Sequence, residues 1–138
     1  MTIKRKRTPR GIRNNNPLNL RVGNNWKGEV EVSSDPTFEQ FTEMKWGVRA
    51  AFVVLRNYII RHKCNTIRDI VSRWAPSNEN DTERYIRQVA YLSRIEEDEK
   101  IIWDYFDLKR LFDAMCFVEN GMYIDDQVVE EGWLLANE

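Results

Sequence analysis

From Lys45 to His62, apolar side chains recur at helical spacing: Trp46, Ala50, Val53, Val54 and Ile60, with Phe52, Leu55 and Ile59 thickening the stripe. A stripe this wide needs cover along about four turns, so the segment predicts the central, most buried helix. The chain before it follows another rule. Asn14-Asn15-Asn16-Pro17, Gly23-Asn24-Asn25, Gly28 and Ser33-Ser34-Asp35-Pro36 punctuate it densely with turn-forming residues. Between Trp26 and Val32, Val30 and Val32 alternate with Glu29 and Glu31, which predicts a small, irregular β-hairpin or loop region.

Beyond His62 the helical period returns. Thr66 caps a helix carrying Ile67, Ile70, Val71 and Trp74, which Pro76 cannot continue. Asn80, with Glu83 three residues on, is placed to cap the next, whose inner face is Tyr85, Ile86, Val89 and Leu92. A charged connection, Glu96 to Lys100, leads to an aromatic stretch, Ile101 to Phe106, whose class the pattern leaves open. Asp107 is the expected cap of a helix with the stripe Leu108, Leu111, Phe112, Met115 and Val118, ended by Gly121. A last helix is predicted from Asp125 to Leu135. The fold class is therefore α+β and mainly α-helical. One domain is expected over residues 11–138, after a basic tail over residues 1–10.

Charge is divided along the chain. Residues 1–63 hold 13 Lys+Arg against 5 Asp+Glu, a balance of +8; residues 64–138 hold 8 against 17, a balance of −9. The first half, with Lys4–Arg7, could hold a polyanion or simply attract the second. The acidic second half and a pI near 6.0 weigh against nucleic acid as the partner. No apolar run approaches the roughly 20 residues of a membrane span, and none follows the basic start as a signal peptide requires. Cytoplasmic synthesis is expected, with delivery to a cell wall or virion needing other machinery. Cys64 and Cys116 make neither a disulfide framework nor a four-ligand zinc site, and both lie in apolar helical patterns. No metal and no cofactor is expected.

Phosphate-cradling glycine loops, serine elbows and zinc-helix signatures are missing, and the single histidine, His62, has the setting of a helix-terminal or surface residue. Acid–base work would fall to carboxylates. Glu119 stands out among them. It follows Met115, Cys116, Phe117 and Val118 and occupies the last turn of its helix. Burial and the negative end of the helix both disfavour its ionised form. A carboxyl kept protonated can donate to a glycosidic oxygen. The alternative is a solvated helix-end residue. For Asn14, Asn15, Asn16 and Asn19, two roles stay open. Their amides match the amides and hydroxyls of an N-acetylated glycan, or they bond the backbone of their own turn. Trp26, Trp46, Trp74 and Tyr85 offer faces for sugar stacking or for core packing.

FVENG, Phe117 to Gly121, resembles the catalytic E-x-G landmark of lytic transglycosylases and goose-type lysozymes, and Asp81–Val89, DTERYIRQV, resembles their Tyr-containing helix motif. The order of the two motifs is reversed here, which a circularly permuted lysozyme-like domain would reconcile. The stretch NNNPLNLR…NWKG…FEQF…GVRA is similar to a cleft-lining region of bacterial glucosaminidases. RGIRNNNP with the later WAP-x-x-EN-x-T is similar to small phage virion or lysis-associated proteins, with Leu18 where those have Gly. The resemblance implies a lysozyme-like helical domain acting on peptidoglycan glycan strands as a lytic transglycosylase or muramidase. Glu119 would be the general acid and base, and Asn14, Asn15, Asn16, Asn19 and Tyr85 would bind the glycan. Hydrolysis by the usual route would need a second carboxylate, for which Glu29, Glu31, Asp35, Glu39 and Glu43 are available; a transglycosylase would need Glu119 alone. A non-enzymatic virion or wall-binding protein that keeps the fold, with virion proteins as partners, is the other expectation.

Overall fold

The computed structural model describes residues 7–78 and 81–138. Lys4–Lys6 of the basic run and the expected cap Asn80 lie outside the described residues. Among the described residues six α-helices follow in order: α1 (Arg10–Arg13), α2 (Met44–Arg56), α3 (Ile67–Trp74), α4 (Thr82–Ser93), α5 (Tyr105–Asn120) and α6 (Asp126–Ala136). A π-helical turn, Asn57–Arg61, continues α2. The fold is mainly helical. Where a small, irregular β-hairpin or loop region was expected, the described residues form loops with two isolated antiparallel bridges, Arg21 with Phe38 and Glu29 with Phe41. The paired segments are too short and too often interrupted by turns to form a ladder.

Helix ends follow local chemistry. Thr66 accepts the Asp69 N–H, as expected. For α4 the cap is Asp81, which accepts the Arg84 N–H. For α5 it is Asp104, accepting the Asp107 N–H, while Asp107 sits in the first turn. The cap expected at Asp107 thus moves back three residues, because Asp104 is the extended residue whose carboxylate reaches the free donors. Gly121, at φ 70°, ends α5 in the left-handed conformation that costs glycine least.

The core is built where α2, α5 and α6 meet. Phe52 lies 5.1 Å from the Phe112 ring and 5.2 Å, edge-on, from Trp133. Val48, Leu55, Leu111 and Met115 are fully buried around them. α6 comes close to α2 because Gly132 lies on the Val48 side chain, where a β-carbon would collide. α3 and α4 pack as a second pair, with Ile67, Ile70, Ile86 and Val89 inside.

The N-terminal segment lies across the ends of α2 and α5. α1 is a single turn that no apolar stripe announces. Arg10, counted with the tail on sequence, opens it and forms a two-pronged ion pair with Asp35, both distances 2.7 Å. Leu18 is fully buried in the main core, and the left-handed residues nearby are Asn15 and Asn19, not position 18. The Leu18 side chain therefore needs no glycine-like backbone. Gly47 lets this segment cross α2: a β-carbon there would strike the Asn15 carbonyl.

Candidate functional site

The Asn-rich run divides into two jobs. The Asn14 amide donates to Asp35 at 2.9 Å and accepts from Gln40 at 3.0 Å. The Asn15 amide donates to the Phe41 carbonyl at 3.0 Å. Asn16 is fully buried; it donates to the Leu20 and Glu39 carbonyls and accepts the Leu20 N–H, all within 3.0 Å. The side chains of Asn14, Asn15 and Asn16, expected to bind glycan, make these bonds within the protein and are not among the residues lining the cavity described below. Asn19 differs. Its backbone turns left-handed, at φ 53°, and its side chain lies on a cavity of about 440 Å³.

That cavity is lined by the N-terminal segment and by residues of α2 to α5. Asn19, Arg21, Asn24, Trp26 and Phe38 come from the N-terminal segment, Val54 and Tyr58 from α2 and its π-helical turn, Trp74 from α3, Tyr85 from α4 and Glu119 from α5. The structure thus brings together Glu119, Asn19 and Tyr85. It also brings Trp26 and Trp74, whereas Trp46 packs under Gly28 away from the cavity lining. Tyr58 stands edge-on to Trp74, with ring centres 6.1 Å apart. The wide π-helical turn carrying it is of a kind often found at functional sites.

Glu119 is half-buried in the last turn of α5. Burial pushes its carboxyl above the usual range, against hydrogen bonds from the Trp74 indole and the Asn19 side chain that favour the ionised form. Burial is the larger effect. The Tyr85 phenol is held well above its ordinary pKa by burial first, then by the charges of Glu119 and Cys116, so it stays a neutral donor. Its hydroxyl, the Trp26 indole N–H and the Asn19 side-chain oxygen are buried without a protein partner. Such unpaired groups are costly in a native interior, and here three of them belong to residues lining one cavity.

The last turn of α5 is anchored by a residue that sequence reasoning passed over. Asn120 is buried and donates to the Pro17 carbonyl at 2.7 Å and to the Cys116 carbonyl at 3.1 Å. Its side-chain oxygen lies where a β-carbon on Gly11 would be, so Gly11 makes room for it. The signal was an amide between Glu119 and the helix-ending glycine, in the spot where an unsatisfied carbonyl end invites a donor.

None of the candidate second carboxylates is among the residues lining the cavity. Asp35 is bound to Arg10, which, with the backbone N–H groups of Phe38 and Thr37, holds its carboxyl far below the usual range. Glu43 faces Lys45, Glu31 is exposed, and Glu39 and Glu29 accept the backbone N–H groups of Gly23 and Trp26. His62 is exposed beside Arg73, and among the described residues no cluster of His, Cys, Asp and Glu could hold a metal ion. Cys116 is buried and donates toward the Met122 carbonyl; burial pushes its thiol up to about 11, which makes it unreactive. No helix among the described residues is long and apolar enough to cross a membrane.

No family model matches the chain. It is 41% identical over 116 residues to Protein P5 of Pseudoalteromonas phage PM2, a match spanning 81% of this chain and 71% of that one. Identity at that level over that share of both chains places this protein in the same family as the phage PM2 Protein P5.

Proposed function

We propose that the protein cleaves the glycan strands of peptidoglycan, as a lytic transglycosylase or muramidase with a lysozyme-like, circularly permuted domain. The observation that carries this reading is Glu119: a carboxyl raised by burial, oriented by Trp74 and Asn19, in a cavity with unpaired hydrogen-bonding groups and aromatic faces. Glu119 protonates the leaving glycosidic oxygen and, once ionised, serves as base in the second half of the reaction. Its two donors stabilise the carboxylate between those steps. Asn19, Tyr85 and the Trp26 indole N–H position N-acetyl and hydroxyl groups, while Trp74 and Tyr58 bound the sugar faces. With no second carboxylate in the lining, the single-Glu route is preferred, in which the sugar's own hydroxyl attacks.

A second reading has its own support. The donors from Trp74 and Asn19 pull Glu119 toward ionisation, which opposes its use as an acid. In that reading the protein grips cell wall as a virion component without cutting it, in keeping with a relative from a phage. Muropeptide release from purified peptidoglycan decides between them. Release by the wild type and its loss in Glu119→Gln supports the enzyme; retention on cell wall with no release supports the binding protein.

A further inference from the structure

A second depression lies on the surface where α4 and α5 pack together. It holds about 290 Å³ and is lined by Gln88, Tyr91, Leu92, Phe117 and Val118. Tyr91 comes from α4 and Phe117 from α5, so aromatic rings border it from both helices. Tyr91 is 85% exposed, and among the described residues its hydroxyl has no hydrogen-bond partner and its ring no aromatic or cationic neighbour. Phe117 in turn stacks on Tyr123, with ring centres 4.9 Å apart, and Tyr123 is 53% exposed. Single exposed apolar residues are ordinary on a protein surface. Rings gathered at one depression are a different matter, because such groupings mark binding sites.

The lining selects the occupant. It has no charged side chain; Leu92 and Val118 are apolar, and the polar groups are the Gln88 amide and the Tyr91 hydroxyl. A pyranose ring matches this chemistry. Its C–H faces lie flat on an aromatic ring, while the hydroxyl and amide groups at its edge bond to a phenol or a carboxamide. A stable protein partner would need about 20–30 residues a side, against the five that line this depression.

The depression also adjoins the Glu119 cavity. Tyr85 lines that cavity, and Gln88, one turn later on the same side of α4, lines this one; on α5, Val118 directly precedes Glu119. A chain of sugars leaving the first site therefore has the second within about one helical turn, ~5.4 Å. We propose that this cleft is a second carbohydrate site, in which Tyr91 and the Phe117–Tyr123 pair take N-acetylhexosamine rings of the glycan strand and hold the wall outside the Glu119 cavity. It rests on peptidoglycan being the ligand, as in the reading above, whether or not the strand is cut. A second grip on one polymer raises the effective concentration of strand at the first.

The experiment measures retention of the whole chain on purified, insoluble peptidoglycan. Beside it, the Glu119→Gln variant is titrated with the N-acetylglucosamine tetramer by NMR, so that the ligand stays intact. The ring signals of Tyr91 and Tyr123 should shift with the tetramer. Tyr91→Ala should weaken retention by about tenfold, the scale of one well-stacked ring, and Tyr91→Trp should restore it. Tyr123→Ala is the second variant and should weaken retention in the same direction. Both residues are exposed, so the melting temperature should not change, and muropeptide release from short soluble glycan should match wild type. Wild-type retention that neither alanine variant weakens overturns the second site and leaves the Glu119 reading standing. Retention weakened by Tyr91→Ala, with no muropeptide release from any variant, keeps the second site and removes the enzyme. A wild type that neither binds nor releases wall overturns both. Self-association in ultracentrifugation that Tyr91→Ala abolishes assigns the face to a second copy of the chain and overturns the proposal.

Discussion

In the segment from Arg10 to Phe41, order comes from amides and carboxylates. Arg10 grips Asp35, Asn14 ties Asp35 to Gln40, and Asn16 closes its own turn while reaching Glu39. In the helices from Met44 to Ala136, order comes from apolar contact around Phe52, Phe112 and Trp133. The first kind of order is directional and fixes where atoms point. The second is tolerant of direction and supplies most of the stability. The cavity sits where the two kinds meet, with a carboxyl set by a helix and a wall set by hydrogen bonds.

Four experiments test that division, in descending order of effect. Glu119→Gln should lower wall-cleaving activity by about 10²–10⁴-fold, the usual contribution of a general acid or base, with a melting temperature close to wild type. In the wild type, activity should fall on the alkaline side as the raised Glu119 carboxyl ionises, and Glu39→Gln should leave that limb in place. Phe52→Ala removes the ring on which α5 and α6 both pack and should cost about 3–5 kcal/mol in chemical denaturation. Asn16→Ala leaves the Leu20 N–H and the Glu39 carbonyl without their side-chain partner in a buried site and should cost about 1–3 kcal/mol, with the loss of exchange protection centred on residues 16–21. An equal loss spread evenly over all helices would erase the contrast between the two regions.

The smallest effects are pH-dependent and opposite in sign. The Asp35 carboxyl, held low by Arg10, stabilises at neutral pH and stops doing so as pH falls below the ordinary carboxylate range. Acid should therefore loosen the N-terminal segment before the helices, as read by exchange. The raised Glu39 carboxyl works the other way. Its contribution is full below about 4.5 and is lost as pH rises toward about 7, so Glu39→Gln should melt higher than wild type at pH 8 and match it at pH 4.

The helices were legible because one-sided burial writes a period into the sequence, and α2, α3, α5 and α6 follow that period closely. The caps were less so, since Asp104 and Asp107 are equally good candidates until backbone conformation chooses between them. Glu119 could be singled out from its apolar neighbours and helix-end position. The destination of each asparagine could not, because four similar amides in one turn differ only in three-dimensional partners. Asn14, Asn15 and Asn16 turn inward, and Asn19 alone meets Glu119. Trp74 and Tyr58 join the site through helices whose periodicity places them on an inner face but says nothing of a cavity there. The α+β expectation erred toward sheet because alternating valines near Trp26 imitate strands that turns cut short.

The bond from Asn120 to Pro17 joins positions 103 apart. A ribosome releasing this chain from its N-terminus has already made one wall of the cavity long before it makes Glu119. Until α5 has been synthesised and has found Pro17, neither the acid nor its orienting partners exist as a unit, so a nascent or prematurely ended chain carries an idle half-site. Contacts this distant also form late and slowly.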